Sequence, residues 1–303
     1  MKILSTYSFI RLSLFMATVA STLTSCVKDD LEDSRLCGKG AVVLTADFSR
    51  HTADMPLPDT YQAIVAGQQF AVPANTHSLL PYSFEPQPST LLAFNEPEGM
   101  ERSGMTIQVK RLADGSIEPM PALLFTCKSD ILIPKDDTLC VSLPMQQRVF
   151  PMRFELPVVS GDASLIESVE GEVSGIAQSF DLERQEIVSG APAKIHITFY
   201  KEESAETRAA RADGTDSPTV TYVGKAGLLG IEGNVQILTL RIRYSDGQTQ
   251  DIEKDINDMV SDIGDGDDLD PLTITGGIEA PMEAGLESAI KDWTVKNEEI
   301  EIK

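Results

Sequence analysis

The chain has few of the residues from which enzyme active sites are usually built. Its 303 residues include three histidines (His51, His77 and His196), four cysteines and one tryptophan. No GxSxG elbow, HExxH pair or P-loop is present, and no CxxC pair or Cys/His cluster has the spacing of zinc ligands. The histidines are therefore interpreted as structural. We predict that the chain is not an enzyme and has no cofactor.

Positive charge is scarce as well. Lysine and arginine together number 25 against 47 acidic residues, which gives a formal net charge of −22 at pH 7. Phosphates repel such a chain, so nucleic acid is excluded as a partner. Acidic residues are so abundant that no carboxylate pair for glycoside cleavage can be singled out. Hydrophobic residues make up 42% of the sequence, which is enough to build a core and excludes a disordered tail.

Long hydrophobic runs are missing except for a short one near the N-terminus. The mostly apolar segment Phe9–Ala20 is about a dozen residues long, too short for a helix that crosses a bilayer. It is followed by Leu23-Thr24-Ser25-Cys26, an apolar residue, two small residues and a cysteine, which is the order of a lipobox. We therefore predict a lipoprotein signal peptide at residues 1–25 and a lipid-carrying thiol at Cys26. The alternative is an ordinary signal peptide with an incidental cysteine.

The residues after Cys26 begin a polar segment, residues 26–39, that is interpreted as an acidic tether. Its first part, Val27-Lys28-Asp29-Asp30, resembles the surface-export signal of Bacteroidota lipoproteins, in which a lysine and two acidic residues follow the lipidated cysteine. The resemblance implies that Lys28, Asp29 and Asp30 direct the protein to the cell surface. The alternative is that they belong to a tether with no export function.

Short β-rich segments separated by Gly and Pro turns dominate the chain from residue 40 onward. Tyr61–Ala66 and Phe70–Val72 flank a turn at Gly67 and predict a hairpin. In Val235–Tyr244 one alternating set of side chains is predicted to face a core, with a turn at Ser245-Asp246-Gly247. This pattern is typical of an all-β chain built from β-sandwiches. The apolar residues Ile252, Ile256, Met259, Val260 and Ile263 have helical spacing and predict one short helix.

A cluster of prolines, Pro144, Pro151 and Pro157, suggests a domain boundary near residue 145. We therefore predict an N-terminal β-sandwich at residues 40–145 and a C-terminal β-sandwich at residues 146–303. The polar segment 202–219, with Arg208 and Arg211, is interpreted as an exposed loop.

Two further groups of residues leave alternatives open. Cys127 and Cys140 could form a disulfide between neighbouring strands or remain thiols that pack as small hydrophobes. The acidic segment Asp262–Asp270 could bind calcium, which prefers oxygen ligands, although its spacing is not that of an EF-hand and a solvated loop is favoured. The candidate calcium ligands are Asp265, Asp267, Asp268 and Asp270.

Several segments resemble those of the FimB-like minor fimbrial subunits and anchors of Bacteroidota, which are related to the fimbrillins. Beyond Cys26 and its tether, the resemblance lies in Gly40–Phe48, Pro58–Tyr61, Leu91–Met100, Val141–Gln147 and Ile166–Gly175. It covers residues 26–200 well and the C-terminal hundred only loosely. It implies two tandem transthyretin-like (Greek-key) β-sandwich domains with little helix.

The same resemblance implies a lipid anchor at the outer membrane, a cell-surface location in a fimbrium, and a role in holding, starting or limiting that fimbrium. Its partners would be other pilin subunits, which bind by β-strand addition. The tail, residues 295–303, could form the strand that meets the next subunit or could close its own sheet. The alternative function is a surface glycan-binding lipoprotein of a polysaccharide-uptake system, for which Trp293 is the one tryptophan available as an aromatic platform.

Overall fold

Alternating apolar and polar side chains make strands of most of this chain, because a period of two buries one face of a strand. The computed structural model describes residues 37–53, 55–203, 220–261, 263, 269–283 and 285–296. Helical segments in these ranges are short: a 3-10 helix at Ala163–Leu165 and α1 at Asn257–Val260. No helix in the described ranges is long and apolar enough to span a bilayer. The prediction of an all-β chain of β-sandwiches with little helix is confirmed.

Strands are numbered here in chain order. They are β1 (Ala41–Asp47), β2 (Thr60–Val65), β3 (Gln68–Pro73), β4 (Ser78–Leu79), β5 (Pro88–Phe94), β6 (Met100–Ser103), β7 (Thr106–Val109), β8 (Phe125–Leu132), β9 (Thr138–Pro144), β10 (Gln146–Gln147), β11 (Phe150–Ser160), β12 (Ile166–Ile176), β13 (Ser179–Asp181), β14 (Glu186–Ile187), β15 (Ala193–Thr198), β16 (Tyr200–Glu203), β17 (Val220–Leu228), β18 (Ile237–Tyr244), β19 (Thr249–Asp255), β20 (Leu272–Glu279) and β21 (Ala289–Lys296).

Two units are built on the same plan. The first unit has a sheet in the order β4-β1-β9 and a second sheet in the order β10-β8-β5-β2-β3. The second unit has sheets in the orders β16-β17-β11-β20-β21 and β15-β12-β18-β19. In each unit the first long strand, β1 or β11, has an antiparallel neighbour on one side and a parallel one on the other.

Seven strands of the first unit have counterparts at the same sheet positions in the second. The matched pairs are β1 and β11, β2 and β12, β3 and β15, β4 and β17, β5 and β18, β8 and β19, and β9 and β20. Strand β21 lies outside β20, whereas no strand of the described chain lies outside β9.

The units are joined by a further sheet and by one continuous core. The sheet β14-β13-β7-β6 pairs β7, which precedes the last strands of the first unit, with β13, which follows β12. Nearby, the Thr52 hydroxyl donates to the Leu269 carbonyl at 2.6 Å. Strand β10 still pairs with β8, while β11 begins the second unit at Phe150. The domain boundary expected near residue 145 stays a prediction.

The two hairpins expected from sequence are present. Ala66 and Gly67 both have positive φ, 46° and 77°, as a tight hairpin turn requires. In β18 the expected core-facing side chains Leu238, Leu240 and Ile242 are fully buried.

The helix predicted from Ile252 onward is wrong for its first part. Ile252 lies in β19, opposite Leu240 of β18, and the α-helix is confined to Asn257–Val260. A ladder along the whole of β18 outweighs a short amphipathic helix, because isolated short helices are marginal in water. Ile256 and Val260 are nevertheless buried in the core, as their spacing suggested.

The cysteines of the described chain are not paired with one another. Cys127 lies in β8 and Cys140 in β9, in different sheets, and both thiols are free, as is that of Cys37. Cys127 is buried, and its burial raises the pKa of the thiol. Of the two alternatives, the structure therefore has Cys127 as a small buried hydrophobe, whereas Cys140 is exposed.

Candidate functional site

The uncovered edge of β9 is one of the features that distinguish the first unit from the second. The other uncovered edge of the same sheet, β4, is only two residues long, whereas its counterpart β17 is covered by β16. β9 runs parallel to β1 in a register that pairs Ala41 with Thr138 and Asp47 with Pro144. The Ala41 N–H donates to the Asp137 carbonyl and the Met145 N–H to the Asp47 carbonyl. In a parallel strand, alternate residues direct their N–H and C=O groups to the same neighbour. These two hydrogen bonds therefore show which residues of β9 bond to β1 and which direct their main-chain groups away from it.

The even-numbered residues of β9 direct their main-chain groups away from β1. Leu139, Val141 and Leu143 bond to β1, so the N–H groups of Cys140 and Ser142 point outward together with their carbonyls. No strand of the described chain pairs with these groups. They form a row of main-chain donors and acceptors that another strand can extend.

Both ends of this row are limited by the local sequence. At one end the Asp137 carboxylate accepts the Thr138 N–H at 2.7 Å, which occupies the outward donor there. At the other end Pro144 has no N–H to offer. The edge therefore suits a short added strand rather than a long one.

Side chains on the two faces of β9 differ in polarity. Thr138, Cys140 and Ser142 face solvent, whereas Leu139 and Val141 pack against the core and are only partly buried. Ile131, near the end of β8, is also partly buried against the core. A strand added outside β9 would cover these half-exposed apolar side chains, and each covered CH₂ is worth about 0.8 kcal/mol.

The edge of β9 lacks the charged side chains that the outer strand β19 has. Asp251, Glu253 and Asp255 are exposed along β19, and charged side chains discourage a further strand from pairing. The exposed side chains of β9, in contrast, are uncharged. Strand β3 and its counterpart β15 are outer strands in both units, so they do not distinguish the two units.

A cleft of about 300 Å³ lies at the Pro144 end of the edge, where the units meet. Arg148, one of its lining residues, donates to Thr126 Oγ1 at 2.9 Å and to Gln146 and Gln185, and its guanidinium lies over the Phe180 ring. Partial burial lowers the pKa of Arg148. These contacts connect β8 of the first unit with the β13–β14 hairpin of the joining sheet.

The histidines do not form a common site. His51 Nδ1 lies 2.8 Å from the Phe48 carbonyl, and His77 Nδ1 lies 2.6 Å from Thr45 Oγ1. His196 is exposed, and its ring lies near the carboxylates of Asp114 and Glu172. Within the described ranges, no group of three or more His, Cys, Asp or Glu residues could hold a metal ion.

Most residues that the sequence singled out lie outside the described residues. These are Cys26, Lys28, Asp29 and Asp30, then Arg208 and Arg211 of the loop expected from sequence, and the candidate calcium ligands Asp265, Asp267 and Asp268. Asp270 is described and has a bonding partner, and the calcium site stays a prediction.

Trp293 and the beginning of the tail take part in the second unit itself. A Cβ placed on Gly276 would lie 2.9 Å from the Trp293 ring, so this ring packs onto β20 rather than standing free as a platform. Val295 pairs with Ile274 across the β20–β21 ladder. The described part of the tail therefore closes its own sheet, and Ile300 and Ile302 lie outside the described residues.

Sequence reasoning missed the uncovered edge of β9. The segment was expected to be a strand, but nothing in its residues says whether a partner lies on each side. The one available signal was the run Thr138, Cys140 and Ser142, which gives the strand an uncharged outer face.

Comparison with known families and structures gives a consistent result. The family model described as fimbrillin-A associated anchor proteins Mfa1 and Mfa2 matches residues 50–299. None of the curated proteins matches the chain.

Among solved structures, the fimbrial anchor protein Mfa2 from Porphyromonas gingivalis is similar with a TM-score of 0.53 and 10% identity, over 86% of this chain and 97% of that one. A candidate adhesin from Bacteroides ovatus has a TM-score of 0.53 and 14% identity, over 78% and 89%. A candidate polysaccharide-binding protein from Bacteroides thetaiotaomicron has a TM-score of 0.50 and 9% identity, over 86% and 99%. At these identities the similarity concerns the fold.

Proposed function

Since the chain belongs to the family of fimbrillin-A associated anchor proteins Mfa1 and Mfa2, we propose that it is a lipid-anchored accessory subunit of a fimbrium that binds another pilin subunit at the uncovered edge of β9. The family supports an accessory role in a fimbrium. The finer parts of the proposal are the lipid anchor, the use of strand addition and the location of the binding edge.

One observation carries the location of the binding edge. The second unit covers β20 with β21, while the matching strand of the first unit, β9, has no such cover among the described residues. An incoming strand would find the outward N–H groups of Cys140 and Ser142 and the carbonyls beside them. Each main-chain hydrogen bond contributes about 1 kcal/mol net, and burial of Leu139 and Val141 adds to this.

The proposed anchor rests on the sequence of the N-terminus. The apolar run, the lipobox and Cys26 follow one another in the order that lipoprotein processing requires. Lys28, Asp29 and Asp30 would then direct the protein to the outer face of the outer membrane. Several acyl chains on one cysteine hold a domain firmly, because each buried CH₂ adds about 0.8 kcal/mol.

Labelling with a palmitate analogue tests the anchor directly. We expect the label on the wild-type chain and its loss in Cys26→Ala, with the protein then released from the membrane fraction. Protease treatment of intact cells should degrade the wild-type protein if it is exposed at the surface. A label that persists in Cys26→Ala would place the acyl chain elsewhere and contradict the proposal.

Cross-linking on intact cells, followed by mass spectrometry, tests the binding edge. Wild type and Cys140→Ser, which keeps the main-chain N–H, should both be recovered joined to a pilin subunit. Cys140→Pro removes the outward N–H without removing a bond to β1, so we expect at least about a tenfold loss of the joined product. Equal recovery from Cys140→Pro and Cys140→Ser would exclude this edge.

The proposed role is structural rather than catalytic, in keeping with the family. The glycan-binding alternative is less well supported, because the Trp293 ring packs onto Gly276 and is not available as a free platform. Recovery of polysaccharide-uptake proteins, with no pilin, in the same cross-linking experiment would favour that alternative instead.

A further inference from the structure

The described chain enters the first unit at one end of β1. Gly40 and Phe84 exchange two main-chain hydrogen bonds of 2.8 Å, and the Asp136 N–H donates to the Lys39 carbonyl at 2.8 Å. A Cβ on Gly40 would lie 2.3 Å from the Pro134 carbonyl oxygen, so only glycine allows the chain to pass here. The tether is therefore attached to this end of the unit at a fixed point.

Three apolar side chains are exposed around this point and are called the tether-end patch. Leu79 is 57% exposed, Tyr82 is 48% exposed and Leu132 is 67% exposed. Leu79 pairs with Val43 at the start of β1, and Leu132 directly precedes Ile133, whose side chain is next to Gly40.

Aromatic packing holds Tyr82 outward. Its ring packs edge to face on the Phe84 ring with centroids 5.0 Å apart, and Phe70 lies 6.5 Å away on another side. Phe84 is itself buried and tied to Gly40. An exposed tyrosine whose ring is held by aromatic neighbours suits a boundary between an apolar phase and water, because its ring is apolar and its hydroxyl is polar.

The second unit lies at the opposite end of β1. Asp47, the last residue of β1, lines the junction cleft together with Leu269. The order along the molecule is therefore tether, first unit, second unit. The tether-end patch therefore lies at the end of the first unit where the described chain begins, away from the second unit.

The acidic side chains at the tether end are occupied within the protein. Glu85 pairs with Lys39 at 3.4 Å, the Asp136 carboxylate accepts the Gly38 N–H, and the Asp137 carboxylate accepts the Thr138 N–H. The Glu85–Lys39 pair carries no net charge, whereas Asp136 and Asp137 keep their negative charge, because a main-chain N–H is a neutral donor.

We propose that the tether-end patch rests on the lipid surface, so that the first unit stands on the outer membrane with Tyr82 at the headgroup level and the second unit directed away from it. The inference rests on the proposed lipid anchor at Cys26. Ten residues separate Cys26 from Cys37, the first described residue. That length spans about 20 Å as a flexible chain and about 35 Å when extended, so contact is within reach.

Tryptophan fluorescence in vesicles tests this orientation. Lipidated full-length proteins would be reconstituted into phosphatidylethanolamine and phosphatidylglycerol vesicles with or without brominated acyl chains, which quench nearby tryptophans. Three chains are compared: wild type, Tyr82→Trp, and Met282→Trp as a matched control. Wild type has Trp293 alone, in the second unit, and Met282 is 75% exposed in that unit. Flotation with the vesicles and mass spectrometry of the acyl group at Cys26 accompany each measurement.

We expect brominated lipid to quench about a third or more of the added signal in Tyr82→Trp and to leave wild type and Met282→Trp unchanged. Acylated protein that floats with the vesicles but shows no quenching in Tyr82→Trp would overturn the orientation alone. Quenching in Met282→Trp would also overturn it. A chain without an acyl group at Cys26 would overturn the anchor and the orientation with it. Quenching in Tyr82→Trp that a soluble glycan abolishes would mean that the patch binds sugar instead.

Discussion

The two units of this protein share seven strands in the same arrangement and differ in three outer strands, β10, β16 and β21, each of which is present in one unit only. In the second unit β20 is covered by β21, whereas in the first unit β9, the matching strand, is bare along its length within the described chain. Both strands lie parallel to the long first strand of their unit. The difference shows that this sheet position can be filled by an additional strand, which supports strand addition at β9.

The covered edge shows how an added strand is accommodated. Gly276 and Gly277 leave room on β20: a Cβ on the first would meet the Trp293 ring, and one on the second would meet Val159. The ladder shifts register between Thr275 and Gly277, and Asp292 has a φ of 55°. The pairing of β21 with β20 therefore includes a local shift in register, like that of a β-bulge. The pairing of β9 with β1 has no such shift.

Removing β21 should have the largest effect, because it uncovers the edge of β20 and makes that edge match the edge of β9. A chain that ends at Ser288 loses the ladder to β20 and the packing of Ile290 and Trp293 against the core. We expect the free energy of unfolding to fall by about 3–5 kcal/mol, measured by urea denaturation.

A chain that ends at Lys296 keeps β21 and is the matched control. It should unfold at the same urea concentration as the full chain. An unchanged midpoint for the chain that ends at Ser288 would mean that β21 contributes nothing to the second unit, and the comparison with β9 would fail.

Two neighbouring proline substitutions sharpen the description of the bare edge. The N–H of Val141 bonds to β1, whereas that of Cys140 points outward. Val141→Pro should therefore cost about 3 kcal/mol of stability, while Cys140→Pro should cost about 1 kcal/mol or less. Equal losses in thermal or urea unfolding would mean that the outward and inward residues of β9 have been assigned wrongly.

A buried tyrosine in each unit gives the smallest expected effect. The Tyr61 hydroxyl in the first unit is buried without a hydrogen-bond partner. In the second unit the Tyr244 hydroxyl donates to Gln250 and accepts the Ser288 N–H at 2.9 Å. Tyr61→Phe should leave stability unchanged or raise it by about 1 kcal/mol, and Tyr244→Phe should lower it by about 1–3 kcal/mol.

The pH dependence of stability tests whether the Tyr61 hydroxyl is buried. Burial, followed by the neighbouring Cys127, raises the pKa of Tyr61 to about 12 from 10.0. Because the pKa of Tyr61 is higher in the folded than in the unfolded chain, the protonated phenol favours the folded state, so its contribution to stability is fully present below pH 10 and is lost as the pH rises toward 12. Wild type should therefore weaken over that range more than Tyr61→Phe does. Parallel curves would mean that the phenol is not buried as described.

Sequence patterns predicted the local structure well where one face of a strand meets the core. The alternation of Leu238, Leu240 and Ile242 identified both the strand and its buried face, since the period of two leaves little freedom. The helical spacing was misleading for Ile252, because this residue also alternates with polar neighbours and pairs with β18. Short segments can satisfy both periods, and the partner that the fold provides decides between them.

By itself the sequence determined the all-β class, the hairpin turns and the resemblance to fimbrial anchors, because these depend on residues close together in the chain. It also supplied the signals around Cys26, which are short and linear. Only the tertiary structure decided which edge stays open, since Thr138–Pro144 would read the same with a strand on either side. It also decided that Trp293 packs onto β20 and that Leu79, Tyr82 and Leu132 surround the point where the tether enters. Those facts depend on pairings between residues far apart in the chain, which no local pattern encodes.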